Sequence, residues 1–244
     1  MLPLLLFVYL LEKIPPPDDE DKAERMERLP MPKERRRQLL KNFFPGIVAL
    51  VFIYVLVTIL RELRDSFMAD MWRESGEEFK PAVFAQTETI ISVIMLVVIA
   101  AMVIVKNNFR AFMFAHIIML AGFLIALGMT LLFINGKLPL FYWMTFIGLG
   151  LYMVYIPFNS ILFDRFIAAF RYSGNVGFLI YIADSFGYLG SVSVLFTKTV
   201  FHINLNWLDF YTKIVIWVGI FGLIGVSISM VYFMRKRLVG SKAQ

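Results

Sequence analysis

One acidic side chain lies deep within an apolar segment of the sequence. The segment runs from Asn175 to Val200, and Asp184 lies roughly 13 Å from its start at the rise of an α-helix. A carboxyl group at that depth of a membrane-length segment is costly, so it is rare unless it faces a partner or a water-filled path. Two interpretations follow: Asp184 binds a cation or a proton, or it only joins helices through hydrogen bonds.

Polar side chains share a helix face with this acid, and a second polar face lies in the preceding segment. Residues spaced by three or four positions lie on the same face of a helix. The two faces consist of Tyr181, Asp184, Tyr188 and Ser191 in one segment and of Gly148, Tyr152, Tyr155 and Asn159 in the segment before it. The two segments are consecutive and antiparallel, and Tyr155 and Asn159 fall near the depth of Tyr181 and Asp184. We therefore predict that both faces line one central cavity, which is the pathway of a solute or a proton.

Four charged residues could form ion pairs near the outer ends of the first two membrane segments. Arg61 and Arg64 lie close enough to Asp65 along a helix for local pairs. Glu88 lies about two turns inside the next segment, at a depth similar to that of Arg61. We predict that Arg61 and Glu88 pair across the two helices at the outer mouth of the cavity. The alternative is that the first helix stops near Arg61 and that these charges face water.

The other residues that could do chemistry do not form a recognisable catalytic or metal site. The sequence has no cysteine, and its two histidines are far apart, which disfavours a metal cluster. His116 lies about 9 Å into the third segment, where a hydrogen-bonded packing residue is commoner than a proton-handling one. The sequence carries no phosphate loop, nucleophile elbow, zinc-helix motif or dinucleotide fingerprint. We therefore expect neither an enzyme nor a bound cofactor.

Six long apolar segments must position these residues. Apolar residues make up 59% of the chain and charged residues 17%. In a soluble domain, charged residues make up about a quarter of the chain. Apolar runs longer than about 18 residues are typical of membrane helices. The predicted spans, numbered first to sixth, are Phe43–Met68, Pro81–Val105, Arg110–Asn135, Leu138–Ala168, Asn175–Val200 and Leu208–Met234. The predicted fold is thus an all-α polytopic membrane protein whose six helices form one bundle over residues 43–234.

Three further segments flank the predicted bundle. Residues 1–12 are apolar but too short to span, and they are interpreted as the end of a preceding membrane helix or as an interfacial anchor. Residues 13–42 form a charged linker with three prolines near its start and a basic block at its end. The linker is interpreted as a topology signal on a solvated connector, with a lipid-binding or regulatory loop as the alternative. Residues 235–244 form a basic tail.

The distribution of lysine and arginine predicts the orientation. The linker, the loops on its side of the membrane and the C-terminal tail together hold seventeen of the 24 basic residues. Because positive residues concentrate in cytoplasmic loops, both ends of the chain are predicted to be cytoplasmic, in an inner (plasma) membrane. The net charge of +6 is therefore expected to lie against the lipid surface and not against a nucleic acid.

Three stretches of the sequence resemble a known group of membrane proteins. They are IPPPDDED in the linker, LRELRDSFMADMW at the end of the first span, and IPFNSILFDRFIAAFRYSGNVGFLIYIADSFGYLGS across the fourth and fifth spans. With its six spans, its linker and the stub of an earlier helix, the chain resembles the C-terminal half of a major facilitator superfamily (MFS) transporter. It looks closest to an uncharacterised family of MFS-like bacterial membrane proteins, catalogued as a domain of unknown function. The loop VKNNFRAF departs from the glycine–acid–basic signature that major facilitators often carry there.

The resemblance implies two three-helix repeats, residues 43–135 and 138–234, and a partner within the lipid bilayer. One half cannot enclose a two-sided cavity, so the partner would be a missing N-terminal six-helix half or a second copy. The implied function is that of a secondary transporter, which moves a small solute by alternating access with proton coupling through Asp184. The alternatives are a non-transporting scaffold or assembly subunit with an MFS-like fold and, more weakly, a membrane enzyme that acts on lipid.

Overall fold

The computed structural model describes residues 2–13, 31–78, 80–172, 174–201 and 206–242. These residues form helices and connecting turns, and no strand occurs among them. The chain divides into two units, residues 1–30 and residues 31–244. In the first unit, Leu2–Glu12 forms a helix of 11 residues. Its interpretation as the end of an earlier membrane helix or as an anchor stays a prediction, and most of the predicted linker lies outside the described residues.

Six helices of the second unit are long and apolar enough to cross a membrane. These first to sixth spans are Lys33–Glu74, Ala82–Ile104, Asn108–Ile134, Leu140–Ala169, Val176–Phe201 and Trp207–Lys242. The all-α fold with six membrane-length helices is thereby confirmed, and the six apolar helices indicate an integral membrane protein. The division into two three-helix repeats stays a prediction.

The first span begins ten residues earlier than the apolar pattern predicts. Lys33 starts the helix, so the basic block at the end of the predicted linker is helical and not extended. Phe43 has non-helical backbone angles, φ −124° and ψ 18°, and Pro45 follows two residues later. Because proline has no amide hydrogen to donate, it removes one hydrogen bond of the helix at this point. The basic segment and the apolar segment are therefore joined through a local irregularity.

A π-helical turn interrupts the fourth span directly after Pro157. The α-helix Leu140–Pro157 is followed by the π-helical residues Phe158–Leu162 and then by the α-helix Phe163–Ala169. Pro157 contributes to the interruption of this helix, since a proline cannot donate the helical hydrogen bond. Asn159 lies within the π turn. Such turns occur frequently at functional sites, and this one changes the face on which the following side chains lie.

The first and fourth spans are the most buried helices of the bundle. The first span packs against the fourth, fifth and sixth spans, the third span packs against the fourth and the sixth, and the second packs against the fourth. The most apolar stretch of the first span is 50% buried and that of the fourth span 56% buried, but the corresponding stretches of the second and fifth spans are each only 22% buried. The second and fifth spans therefore present the bundle's most open faces.

Two glycines allow the backbones of the third and fourth spans to touch. A Cβ atom added at Gly122 would lie 2.5 Å from the carbonyl oxygen of Gly150, and one added at Gly150 would lie 2.6 Å from the carbonyl oxygen of Gly122. Both contacts are to backbone, which cannot rotate away as a side chain can. Small residues at such crossings permit the close packing on which membrane helix association depends.

We predict that Gly122→Ala destabilises the protein by about 1–3 kcal/mol, because the added methyl group separates the two backbones. The melting temperature in detergent checks this result. It is measured as the temperature at which the purified protein is no longer monodisperse. Gly128→Ala is the matched control on the same helix, since a Cβ there has no neighbour within 4 Å. The control should be neutral or stabilising by up to about 1 kcal/mol, because alanine is the better helix former. Equal effects of the two substitutions would contradict the prediction.

Candidate functional site

Asp184 lies where the first, fourth and fifth spans meet. The hydroxyl group of Tyr54, on the first span, donates a hydrogen bond to Oδ1 of Asp184. The amide Nδ2 of Asn159, in the π turn of the fourth span, donates to the same hydroxyl oxygen at 3.3 Å. It also lies 3.4 Å from the carbonyl oxygen of Tyr155. Asp184 and Asn159, which the sequence assigns to one cavity, are thus connected through Tyr54.

The Asp184 site is closed on one side and open on the other. Tyr54 is 1% exposed, whereas Asp184 is half-buried and Asn159 is exposed. Gly187, about one turn beyond Asp184, brings the fifth span close to the first. A Cβ atom at Gly187 would lie 2.9 Å from Cε1 of Tyr54 and 3.1 Å from Oγ1 of Thr58. The absence of a side chain at Gly187 therefore lets Asp184 reach the Tyr54 hydroxyl.

Tyr54 is the one residue of this site that sequence reasoning missed. It lies in the apolar run VFIYVLV, where a tyrosine is read as packing. A signal was nevertheless present, because Tyr54, Thr58, Arg61 and Asp65 are spaced by four, three and four residues. Thr58 takes no part in the site, since its hydroxyl donates to the carbonyl oxygen of Tyr54 at 2.7 Å.

A row of aromatic rings leads from Tyr54 to a cation. The ring of Tyr155 stacks on that of Tyr54 with a centroid separation of 5.5 Å and an interplanar angle of 21°. The guanidinium carbon of Arg61 lies 4.6 Å from the centroid of the Tyr155 ring. This distance is within the range of a cation–π interaction. Arg61, Tyr155, Tyr54 and Asp184 therefore form a continuous series of contacts across three helices.

The ion pair between the first two spans uses a different arginine from the predicted one. Nη1 of Arg64 lies 2.7 Å from Oε1 of Glu88 and 3.3 Å from Oδ1 of Asp65. The predicted pair of Arg61 with Glu88 is wrong, since Arg61 lies against Tyr155 instead. On an α-helix, three residues change the depth by about 4.5 Å and the direction by about 60°. A difference this small could not be resolved by counting depth, so either arginine could have been the partner of Glu88.

Burial and a glycine explain why Arg64 occupies this position. Its side chain is 1% exposed, and those of Asp65 and Glu88 are 43% and 38% exposed. A Cβ atom at Gly148, on the fourth span, would lie 2.8 Å from Nη2 of Arg64. The glycine thus leaves the space that the guanidinium fills. The alternative of a helix that ends near Arg61 is wrong as well, because the helix continues to Glu74.

The other predicted pathway residues do not reach Asp184. Tyr181 and Tyr188 are 74% and 56% exposed, so their side chains lie on the open face of the fifth span. Tyr152 is half-buried on the fourth span. Within the described parts of the chain, no hydrogen bond joins any of these three hydroxyls to Asp184. Of the predicted pathway residues, Asn159 and Tyr155 thus belong to the contacts around Asp184, whereas the other three tyrosines do not, and the common cavity stays a prediction.

His116 joins the third span to the sixth. Its ring is completely buried, with Nδ1 2.9 Å from the carbonyl oxygen of Phe112 and Nε2 3.0 Å from Oγ of Ser229. Both ring nitrogens have hydrogen-bond partners within the protein, as expected if His116 is a packing residue. Among the described residues, no group of three or more histidine, cysteine, aspartate or glutamate side chains could hold a metal ion.

Comparison with protein families matches residues 1–236 to a family of unknown function, DUF5690. No curated protein and no solved structure matches the chain. The function of the chain is therefore inferred from the geometry of its own residues.

Proposed function

The chain belongs to this family of unknown function, and we propose that it is one half of a secondary transporter of the MFS type. It moves a small solute by alternating access, with a proton carried by Asp184. The observation that supports this proposal is the position of Asp184, whose carboxylate is bound by the Tyr54 hydroxyl on one side and is open on the other. An ionisable residue inside a membrane helix is by default a candidate for a transport pathway.

Tyr54 can form a hydrogen bond with Asp184 in either protonation state of the acid. A tyrosine hydroxyl donates one hydrogen bond and accepts others. When Asp184 is ionised, Tyr54 donates to the carboxylate, and the amide of Asn159 donates to the Tyr54 oxygen. When Asp184 is protonated, its own hydroxyl can donate to Tyr54. No lysine or arginine of the described chain lies within ion-pair distance of Asp184 to hold it in the charged form, so binding and release of a proton break no ion pair.

The open faces of the second and fifth spans support a partner in the membrane. Each is only 22% buried over its most apolar stretch, and the fifth span exposes the tyrosines Tyr181 and Tyr188. Polar groups within the hydrocarbon region are stable only when they have hydrogen-bond partners. A protein surface on this face, either an N-terminal six-helix half or a second copy, would supply those partners. It would also provide the second wall that a two-sided cavity requires.

We place both ends of the bundle in the cytoplasm of an inner-membrane protein. The charge distribution supports this orientation. Contacts among the described residues agree with it, because groups from several predicted cytoplasmic loops meet. The Tyr172 hydroxyl donates to the carbonyl oxygen of Arg35 at 3.1 Å, and Nη1 of Arg165 donates to Oδ1 of Asn108 at 2.7 Å.

A non-transporting scaffold is the second candidate, and one observation favours it. Tyr54 bonds to Asp184 and to Asn159, so the same contacts that could handle a proton also join three spans. A scaffold requires only those contacts, whereas a transporter requires that Asp184 change its protonation state. The two functions therefore differ in their dependence on pH and on a solute.

Proton coupling can be tested before the solute is known. The full chain, with any partner that copurifies, is reconstituted into vesicles that contain a pH-sensitive dye. Acetate, succinate, phosphate, an amino-acid mixture and a sugar mixture are added outside in turn. A proton-coupled symporter acidifies the lumen with at least one of these solute classes and not with sodium chloride. If every solute class acidifies the lumen only at the rate seen in protein-free vesicles, the transport proposal is contradicted. The scaffold function then remains.

A further inference from the structure

We propose, on the basis of the transport function above, that the solute carries a carboxylate or phosphate group and that Arg61 binds it. Arg61 lies on the first span, half-buried within the bundle. Its guanidinium group rests on the ring of Tyr155. Its Nε atom is buried and has no hydrogen-bond partner among the described residues. A cation with unused donors inside a membrane bundle marks a site for an anion.

Arg64 provides an internal comparison for Arg61. The two arginines are three residues apart on one helix, and both lie inside the bundle. Arg64 is neutralised by two carboxylates, those of Glu88 and Asp65. No carboxylate of the described chain lies within ion-pair distance of Arg61. Both arginines keep buried donors without a partner among the described residues, Nε in Arg61 and Nε and Nη2 in Arg64. They differ in that Arg64 has two carboxylates within ion-pair distance and Arg61 has none.

Of the nearby acids, Asp65 attracts Arg61 electrostatically, but among the described residues its carboxylate is within ion-pair distance of Arg64 and not of Arg61. Glu62 and Asp184 are hydrogen-bonded to other groups. Glu62 accepts a hydrogen bond from Ser66 on the same helix at 3.3 Å. Asp184 is bound to Tyr54, and the stacked rings of Tyr54 and Tyr155 connect that contact to the guanidinium of Arg61. The series therefore has an acid at one end and an arginine at the other, with aromatic rings between them.

The geometry of Arg61 suits a planar or tetrahedral oxyanion. Stacking on a ring occupies one face of the guanidinium group but leaves the donors at its edge available. Two neighbouring donors of an arginine bind carboxylate or phosphate oxygens as a pair. A monovalent anion at Arg61 and a proton at Asp184 would cross together without net charge. The assignment therefore gives Arg61 the solute and Asp184 the coupling ion.

The experiment measures anion binding directly, without transport. The melting temperature of the purified full chain, with any copurifying partner, is followed in sodium acetate, succinate or phosphate against sodium chloride of equal ionic strength. We expect at least one of the three anions to raise the melting temperature by a few degrees, as a ligand that binds only the folded state does. Acetate and succinate test for a carboxylate, and phosphate tests for a phosphoryl group. No rise with any of the three would overturn the assignment.

Variants of Arg61 identify the binding residue. Arg61→Gln should abolish the rise, whereas Arg73→Gln, at the exposed outer end of the same helix, should leave it unchanged. If Arg61→Gln does not fold, Arg61→Lys decides, because lysine keeps the charge but loses the paired donors. An apparent affinity about tenfold weaker in Arg61→Lys supports the assignment. An anion response unchanged in either Arg61 variant overturns it.

The two proposals fail in different ways. If an anion raises the melting temperature through Arg61 but no solute acidifies the vesicle lumen, the anion site stands and proton-coupled transport is wrong. If only sugars acidify the lumen and Arg61→Gln leaves that rate unchanged, transport stands and the anion site is wrong.

Discussion

Asp184→Asn reduces lumen acidification to the rate of protein-free vesicles and leaves the fold intact, if Asp184 carries the proton. Asparagine has nearly the same shape as aspartate and keeps an oxygen that accepts the hydrogen bond from Tyr54. It cannot take up and release a proton in the accessible pH range. We therefore expect a change in the free energy of unfolding of about 1 kcal/mol or less, the net worth of one hydrogen bond.

Two companion variants separate proton handling from general damage. Asp70→Asn removes a carboxylate that pairs with Arg73 near the C-terminal end of the first span, with side chains 42% and 65% exposed, and this variant should acidify the lumen like the wild type. Tyr54→Phe keeps the ring that stacks on Tyr155 but removes the only donor to Asp184 among the described residues. We expect Tyr54→Phe to slow acidification. Acidification by Asp184→Asn at the wild-type rate would contradict the role of Asp184.

The number and type of helices follow from the sequence because the bilayer imposes a minimum apolar length. That requirement is satisfied independently by each of the six segments, so no tertiary information is needed. The start of the first span is different. Charge predicts a linker over residues 33–42, but that segment is rich in arginine, lysine, leucine and glutamine, all of which are good helix formers, and it continues the helix.

The site is only partly predictable from the sequence. The position of a residue in its segment gives its depth along the helix, but it does not give the direction in which the side chain points within the bundle. Asp184 and Asn159 are found from their depth, and both are hydrogen-bonded to the hydroxyl group of Tyr54. The π turn after Pro157 alters the direction of Asn159, and no spacing rule in the sequence announces such a turn. Tyr54 escapes notice because it lies in an apolar run, and the carboxylate that gives it a role comes from another helix. Tertiary packing therefore completes a site whose polar residues the sequence reveals in part.

Glu88→Gln should destabilise the protein by roughly 2–4 kcal/mol, because it leaves the buried guanidinium of Arg64 with only the more distant Asp65. We expect a smaller loss of stability than for a fully enclosed ion pair, since the side chain of Glu88 is 38% exposed. The melting temperature and the denaturant midpoint in detergent give the change in the free energy of unfolding. The matched control is Asp209→Asn, whose exposed pair with Lys213 should contribute less than about 1 kcal/mol.

A double variant distinguishes the ion pair from the loss of a single side chain. In Arg64→Met with Glu88→Gln, no charge remains buried without its partner, and a methionine fills the space beside Gly148. We therefore expect the double variant to be more stable than Glu88→Gln alone, with a coupling energy of about 1–3 kcal/mol. Additive effects of the two substitutions would show that Arg64 and Glu88 contribute separately. The pair would then not be the anchor that fixes the second span to the first.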